Sequence, residues 1–292
     1  MVSNIQKEKT ELFLKYHHDR EILVLLNSWD IGSSKLIEAS GYKAIATTSM
    51  GVAASLGYPD CQVITLSEVI QVTTGIVNAV KVPVSVDIEA GFGNDLNEIT
   101  ESVKKIISTG IVGVNIEDSL DLNPVLIDEM EFCERISAIR SLSDSLGFHL
   151  VINARTDSFY VTSGSQQEKL SESIKRGNKY REAGADCIFV QPVSDKETIS
   201  TLVKQINAPI NILANPTNPG TGTGIPLSIT ELQDLGVARV SFGSSLMKAT
   251  MALIKKVADE LSEKGTCNIL LESLNPLTDT AMAYKMAIGE NK

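Results

Sequence analysis

Histidine and cysteine are scarce in this chain, and none of them pair up. His17, His18 and His149 are the three histidines and Cys61, Cys133, Cys187 and Cys267 the four cysteines, with no C-x-x-C spacing among them. A structural zinc site and a disulfide framework are therefore not expected, which leaves free thiols in a reducing compartment. A basic excess is also missing. With 26 Lys and Arg against 36 Asp and Glu the net charge is −10, and the average field repels nucleic acid and anionic membranes alike. No run of 18 apolar residues occurs, and Lys7, Glu8, Lys9 and Glu11 stand where a signal peptide needs an apolar core. The expectation is a cytoplasmic protein whose partners are neither nucleic acid nor membrane.

What is present is an alternation. The hydrophobic share of 43% over 292 residues suits one large globular domain. Short apolar runs at Leu23 to Leu26, Ala44 to Thr48, Pro83 to Ile88, Ile111 to Ile116, Leu150 to Ala154, Cys187 to Val190, Ile210 to Ala214 and Ala238 to Phe242 are each followed by a helical pattern. Eight strand–helix units imply a parallel sheet, and their length matches a (β/α)8 barrel of the α/β class covering about residues 20–265. An open doubly wound sheet would want a Gly-rich turn after its first strand, and Asn27-Ser28-Trp29-Asp30-Ile31-Gly32 is not one. A lead-in helix is expected over Ser3 to His18. The extension over residues 266–292 carries Leu270, Leu271, Leu274, Met282 and Met286, which should pack on another subunit of a homo-oligomer.

Such barrels carry their chemistry at the C-terminal ends of the strands, so the residue ending each apolar run is informative. The ends carry Trp29 and Asp30, Thr48 and Ser49, Asp87 and Glu89, Glu117 and Asp118, Arg155, Gln191, Asn215 and Ser241. Asp87 and Glu89, two apart on a strand, should project to one side, a pair that suits Mg²⁺ or Mn²⁺ unless it is merely solvated. Asp60, in the loop Gly51 to Gln62, adds a further acid. Neither Lys nor His ends a strand, which removes Schiff-base chemistry and the usual general base. Arg155 reads as a clamp for a substrate anion or as a structural partner of Glu117 or Asp157. A weaker alternative is a phosphate-ester site at Gly220, Gly222, Gly224 and Gly243-Ser244-Ser245.

These segments resemble the isocitrate lyase/phosphoenolpyruvate mutase superfamily. The likeness is carried by Trp29-Asp30, by Thr48-Ser49-Met50-Gly51 with Gly57-Tyr58-Pro59-Asp60, and by Asp87-Ile88-Glu89-Ala90-Gly91-Phe92-Gly93, Asn115-Ile116-Glu117-Asp118 and Asn153-Ala154-Arg155-Thr156-Asp157. The resemblance implies a Mg²⁺-dependent barrel acting on 2-oxo acids, usually a tetramer with exchanged C-terminal helices. It implies Asp87 as direct metal ligand and Asp60, Glu89 and Glu117 as ligands through water. It further implies a substrate carboxylate on the backbone at Thr48, Ser49 and Met50, catalytic roles for Asp60, Glu117 and Arg155, and substrate contacts from Trp29, Asp30, Gln191, Asn215 and Ser241.

The departures bear on the reaction. Family lyases place a Lys-Lys/Arg-Cys-Gly-His loop after the fourth strand, where this chain has Ser119-Leu120-Asp121-Leu122-Asn123-Pro124. Glu89 replaces an Asp and Gln191 a Glu. Decarboxylation of a 2-oxo acid tolerates these losses, whereas cleavage of a 2-hydroxy acid needs a base from carboxylates, Tyr58 or water. A C–C lyase or decarboxylase is the first expectation, P–C mutase or phosphonopyruvate hydrolase chemistry the second, and a binding barrel without catalysis the third.

Overall fold

The computed structural model describes residues 2–120, 125–214 and 227–274. Helix α1 (Asn4–Tyr16) leads in, and the first strand follows in two pieces, β1 (Leu23–Leu25) and β2 (Asn27–Ser28). Then come α2 (Ile31–Ala39), β3 (Ile45–Thr47), α3 (Ser49–Ser55), α4 (Leu66–Ala79), β4 (Val84–Asp87) and α5 (Leu96–Ile107). The middle of the chain forms β5 (Gly113–Glu117), the strands β6 (Ser119–Leu120) and β7 (Val125–Leu126), α6 (Glu129–Ser145), β8 (Val151–Thr156), α7 (Ser158–Val161) and α8 (Gln166–Glu182). It closes with β9 (Cys187–Val190), α9 (Lys196–Gln205), β10 (Ile210–Leu213), α10 (Ile229–Asp234), β11 (Arg239–Ser241), α11 (Ser245–Lys264) and α12 (Asn268–Leu274).

Every pairing of the main sheet is parallel. β1 pairs with β11 while β2 pairs with β3, so the broken first strand joins the last strand to the second and the sheet runs round as a ring. This is the expected (β/α)8 barrel. Several helices start at Ser/Thr-x-x-Glu capping boxes, Thr65 with Glu68, Ser165 with Glu168 and Ser228 with Glu231, each satisfying two otherwise orphaned N–H groups.

Outward-facing Ile and Val of the strands pack beneath the helices, while a second apolar cluster closes the lower end of the ring. There Phe13 of α1 is fully buried against Leu23, Leu25, Ala44, Ala46, Val112 and Val151. A Cβ at Gly113 would stand 2.9 Å from the Phe13 ring, so only glycine admits this plug. Gln6 fastens α1 by donating Nε2 to the carbonyls of Ile107 and Ile111 at 3.0 and 2.7 Å.

Three short features were not legible from periodicity: α3, α7 and the antiparallel pairing of β6 with β7. α3 takes up the first part of what reads in the sequence as one long loop. α11 differs from the other barrel helices, because only Ser245, Met247 and Glu260 are buried along its 20 residues. Met251, Leu253, Ile254 and Leu261 are exposed on it, as are Leu270 and Leu271 on α12. Of the expected extension, residues 275–292 lie outside the described residues. Among the described residues no helix is long and apolar enough to cross a membrane.

Candidate active site

Parallel register puts neighbouring strands' side chains in rows on the inside of the ring, and two rows build the site. Asp87, Asn115 and Asn153 are register partners on β4, β5 and β8. Asn153 Nδ2 donates to Asn115 Oδ1 at 2.7 Å, and Asn115 Nδ2 donates to Asp87 Oδ1 at 3.1 Å. The second row holds Glu117, Arg155 and Phe189 on β5, β8 and β9. Arg155 forms an ion pair with Glu117, and its guanidinium carbon lies 6.0 Å from the centre of the Phe189 ring.

Arg155 is also gripped by a carboxylate two residues along its own chain. Nε and Nη2 donate to Oδ1 and Oδ2 of Asp157, both at 2.8 Å, in the planar two-bond geometry that lysine cannot reproduce. Gln191 Nε2 donates to the same Asp157 Oδ1 at 3.0 Å, and the Ser119 hydroxyl donates to Oδ2. Burial pushes the Asp157 carboxyl up, but Arg155 and these donors together hold it below its ordinary value. The sequence offered Glu117 or Asp157 as a partner for Arg155; it pairs with both, and the guanidinium still lines the site.

Two cavities meet at this point. The inner one, about 220 Å³, descends into the ring past Asp87, Asn115, Asn211, Arg239 and Ser241. The outer one, about 360 Å³, is lined by Glu89, Glu117, Asp157 and Tyr160. Ser49, Met50, Asp60, Arg155 and Gln191 border both. Asp87 accepts from Ser49 N at 3.2 Å, from Asn115 Nδ2 at 3.1 Å and from Glu89 N at 3.3 Å.

Glu89 departs from the alternation expected of it. β4 ends at Asp87, and Glu89 sits beyond it with φ +48°, so the two carboxylates open on different cavities instead of one face. Cys61, Gln62 and Phe92 also adopt positive φ. Such backbone costs on the order of 1–3 kcal/mol per residue and persists where other contacts enforce it. Here Gln62 N donates to the Glu89 carboxylate, Phe92 N to Gln62 Oε1 at 3.0 Å, and Ser102 Oγ to the Phe92 carbonyl at 2.8 Å. Burial, then the neighbouring Asp87, push the Glu89 carboxyl up to about 8. Burial raises Glu117 well above its usual range despite Arg155. Asp60 is raised too, by burial and Asp87, and its Oδ1 is buried without a hydrogen-bond partner.

These acids repel one another and can be relieved by a cation. Among the described residues no three Asp, Glu, His or Cys side chains stand close enough to enclose an ion by themselves. An ion that would fit carboxylates spaced this way is a strongly hydrated one such as Mg²⁺, which takes one or two carboxylates and keeps several waters. An unpartnered, buried Asp60 oxygen is what such a hydrated ion would satisfy.

Other expected site residues fall elsewhere. Asp30 is exposed and accepts from Ser33 N at 2.7 Å as the cap of α2, so its carboxylate is used there and not in the cavities. Trp29 lies behind α3, where a Cβ on Gly51 would come within 3.0 Å of the Trp29 Cβ and 2.6 Å of Thr48 Cγ2. Tyr58 hydrogen-bonds to Glu68 and lines neither cavity. Asp118 points away from the ring, taking donors from Thr156 Oγ1 at 2.7 Å, Asp157 N at 2.9 Å and Tyr180 OH at 2.6 Å. Asn215 and Gly220, Gly222 and Gly224 lie outside the described residues. Asn115, Asp157, Tyr160, Arg239 and Lys248 line the site without having been assigned to it from sequence. Lys248 arrives from α11 and not from a strand end.

Known proteins share this frame. The sequence model of the phosphoenolpyruvate phosphomutase family matches residues 13–262. An uncharacterised protein of Mycobacterium tuberculosis is 34% identical over 232 residues, covering 80% of this chain and 81% of its own. The 2-methylisocitrate lyase of Aeropyrum pernix is 29% identical over 268 residues, covering 89% and 82%. A Burkholderia cenocepacia structure, classed as a candidate lyase/mutase, superposes with a TM-score of 0.84 at 29% identity over 94% of this chain and 98% of that one. The structure of 2,3-dimethylmalate lyase shares the fold, with a TM-score of 0.77 at 22% identity over 88% and 89%. The chain belongs to the phosphoenolpyruvate phosphomutase family and is an enzyme of the isocitrate lyase/phosphoenolpyruvate mutase superfamily.

Proposed function

We propose that the chain is a Mg²⁺-dependent lyase or decarboxylase that breaks a C–C bond of a small 2-oxo or 2-hydroxy acid and releases a pyruvate-type enolate. One observation carries this reading: Asp87 and Asp60 border the cavity next to the one that Glu89 and Glu117 line, with Arg155 as the guanidinium shared by both. Asp87 would hold Mg²⁺, or Mn²⁺, and Asp60, Glu89 and Glu117 would hold the waters around it. When bound, such an ion would supply Lewis acidity at the 2-oxo oxygen.

The chain's own groups do the rest. Backbone at Thr48, Ser49 and Met50 binds the substrate carboxylate, and Gln191 and Ser241 border the substrate. Arg155, fixed on Asp157, orients the group that is cleaved and offsets its charge. Loss of CO₂ from an oxaloacetate-like acid needs no strong base. The proton then returned to C3 comes from the outer cavity, where Tyr160 and the acid groups stand. Relatives named 2-methylisocitrate lyase support C–C cleavage over other bond types.

Incubation with a panel of 2-oxo and 2-hydroxy acids, with and without Mg²⁺, tests this by release of pyruvate or CO₂. The family's description favours a second reading, P–C chemistry, which phosphate release from phosphonopyruvate would reveal. If neither occurs while oxalate with Mg²⁺ still stabilises the chain, a binding barrel is left. The exposed apolar residues of α11 and α12 support a homo-oligomer, a dimer or tetramer in which a second copy covers them.

A further inference from the structure

A buried arginine that the reaction outlined above does not use lies at the floor of the inner cavity. Arg239 opens β11 and is 2% exposed. Register carries the row of Glu117, Arg155 and Phe189 on through Asn211 to Arg239, which places it on the inside of the ring. Its five N–H donors are nearly idle. Nη1 stands 3.5 Å from His17 Nε2, Nε has no hydrogen-bond partner, and among the described residues no carboxylate pairs with it.

The two side chains beside this cation, His17 and Cys187, are neutral. His17 Nδ1 is bonded to the Phe13 carbonyl at 2.8 Å, and burial, then Arg239 itself, hold the ring down to about 3. Burial pushes the Cys187 thiol up to about 12. Asp87 is the carboxylate whose field reaches Arg239, and it already accepts from Ser49 N, Asn115 Nδ2 and Glu89 N. A buried guanidinium with no carboxylate in contact is strongly unfavourable unless an anion meets it. The inner cavity touches it, has room for one, and is lined by two further cations, Arg155 and Lys248, against the carboxylates of Asp60 and Asp87.

We propose that Arg239 makes the floor of the inner cavity a receptor for a compact monoanion, a carboxylate or a halide, that binds whether or not a divalent ion is present. The planar fork suits a carboxylate best. The occupant is either the carboxylate end of the substrate or a free anion from solution.

The test uses the full chain stripped of divalent ions, with bromide as the probe. Soaked wild-type crystals should show an anomalous peak beside the Arg239 guanidinium. The melting temperature should rise saturably with bromide or acetate at constant ionic strength. Arg239→Met should raise the half-saturating concentration about tenfold or more, the loss of one charge-assisted contact, and Arg239→Lys should keep a weaker response. Oxalate that displaces the bromide identifies the substrate carboxylate as occupant, and bromide that persists beside oxalate identifies a free anion. A wild-type chain with no peak and no saturable response overturns the proposal, as does an unchanged half-saturation in Arg239→Met. If Arg239→Met does not fold, the wild-type peak decides. Because the measurement is made without metal, failure of the magnesium reading leaves it intact.

Discussion

Asp186, just before β9 at the lower end of the ring, and Glu89, just after β4 at the upper end, are buried to nearly the same extent, 5% and 4% exposed. Their charges differ. Asp186 accepts from Arg140 Nη2 at 2.6 Å, His149 Nε2 at 2.7 Å and Ile152 N at 2.8 Å, and these donors outweigh burial and hold its carboxyl below the ordinary value. Glu89 has the Gln62 N–H and, beside it, Asp87 and Asp60, and its carboxyl is pushed up to about 8. Burial is equal, so the supply of donors decides. The Asp186 carboxylate has its donors in place, while the acid groups at the upper end lack them and would be completed by a cation.

The largest expected effect comes from removing the centre of the incomplete end. Asp87→Ala should lower Mg²⁺-dependent turnover by about 10³-fold, the loss of several kcal/mol of charge stabilisation. Arg155→Lys should lower turnover by roughly 10²-fold, since an ammonium cannot hold both Asp157 oxygens and reach the Glu117 side. At the completed end the pattern should invert. Asp186→Ala leaves the Ile152 N–H without its acceptor and Arg140 with the Gly184 carbonyl alone, which should cost about 3 kcal/mol in urea unfolding while Mg²⁺ affinity stays the same.

The two ends should also respond to pH with opposite sign. Glu89 binds its proton more tightly folded than unfolded, so its contribution is fully present below about 4.5 and is lost as pH rises through about 8. Asp186 binds its proton more weakly folded, so its contribution is present above the ordinary Asp value and is lost as pH falls below it. Melting curves in EDTA should fall between pH 5 and 8, and Glu89→Gln should flatten that slope. The smallest effect on chemistry is expected at α11: Ile254→Glu should reduce the sedimenting mass and leave turnover per chain within about twofold if each subunit's site is self-contained.

Most of the ring was legible because apolar runs and helical periodicity recur without interruption, and the strand ends differ from their sequence bounds by only a residue or two. The split of the first strand at Leu26 was not, since Leu23 to Ser28 carries no turn signal. At the site, the carboxylates and Arg155 could be picked from their places after apolar runs. Their relative aim could not, because the left-handed backbone at Glu89 depends on the distant Gln62. Asp30 misled for a local reason: in Asp30-Ile31-Gly32-Ser33 it is a helix cap, a signal that competes with a substrate contact. Arg239 had a visible cue, a charge inside the run Ala238 to Phe242, whose meaning required the register of five strands.

Titration of the metal-free chain with Mn²⁺ in the presence of oxalate, followed by electron paramagnetic resonance, asks the central question directly. One ion bound per wild-type chain, and none by Asp87→Ala at the same concentrations, is the result the convergence of these acids requires. Binding that is absent in the wild type, or equal in the two chains, would contradict it.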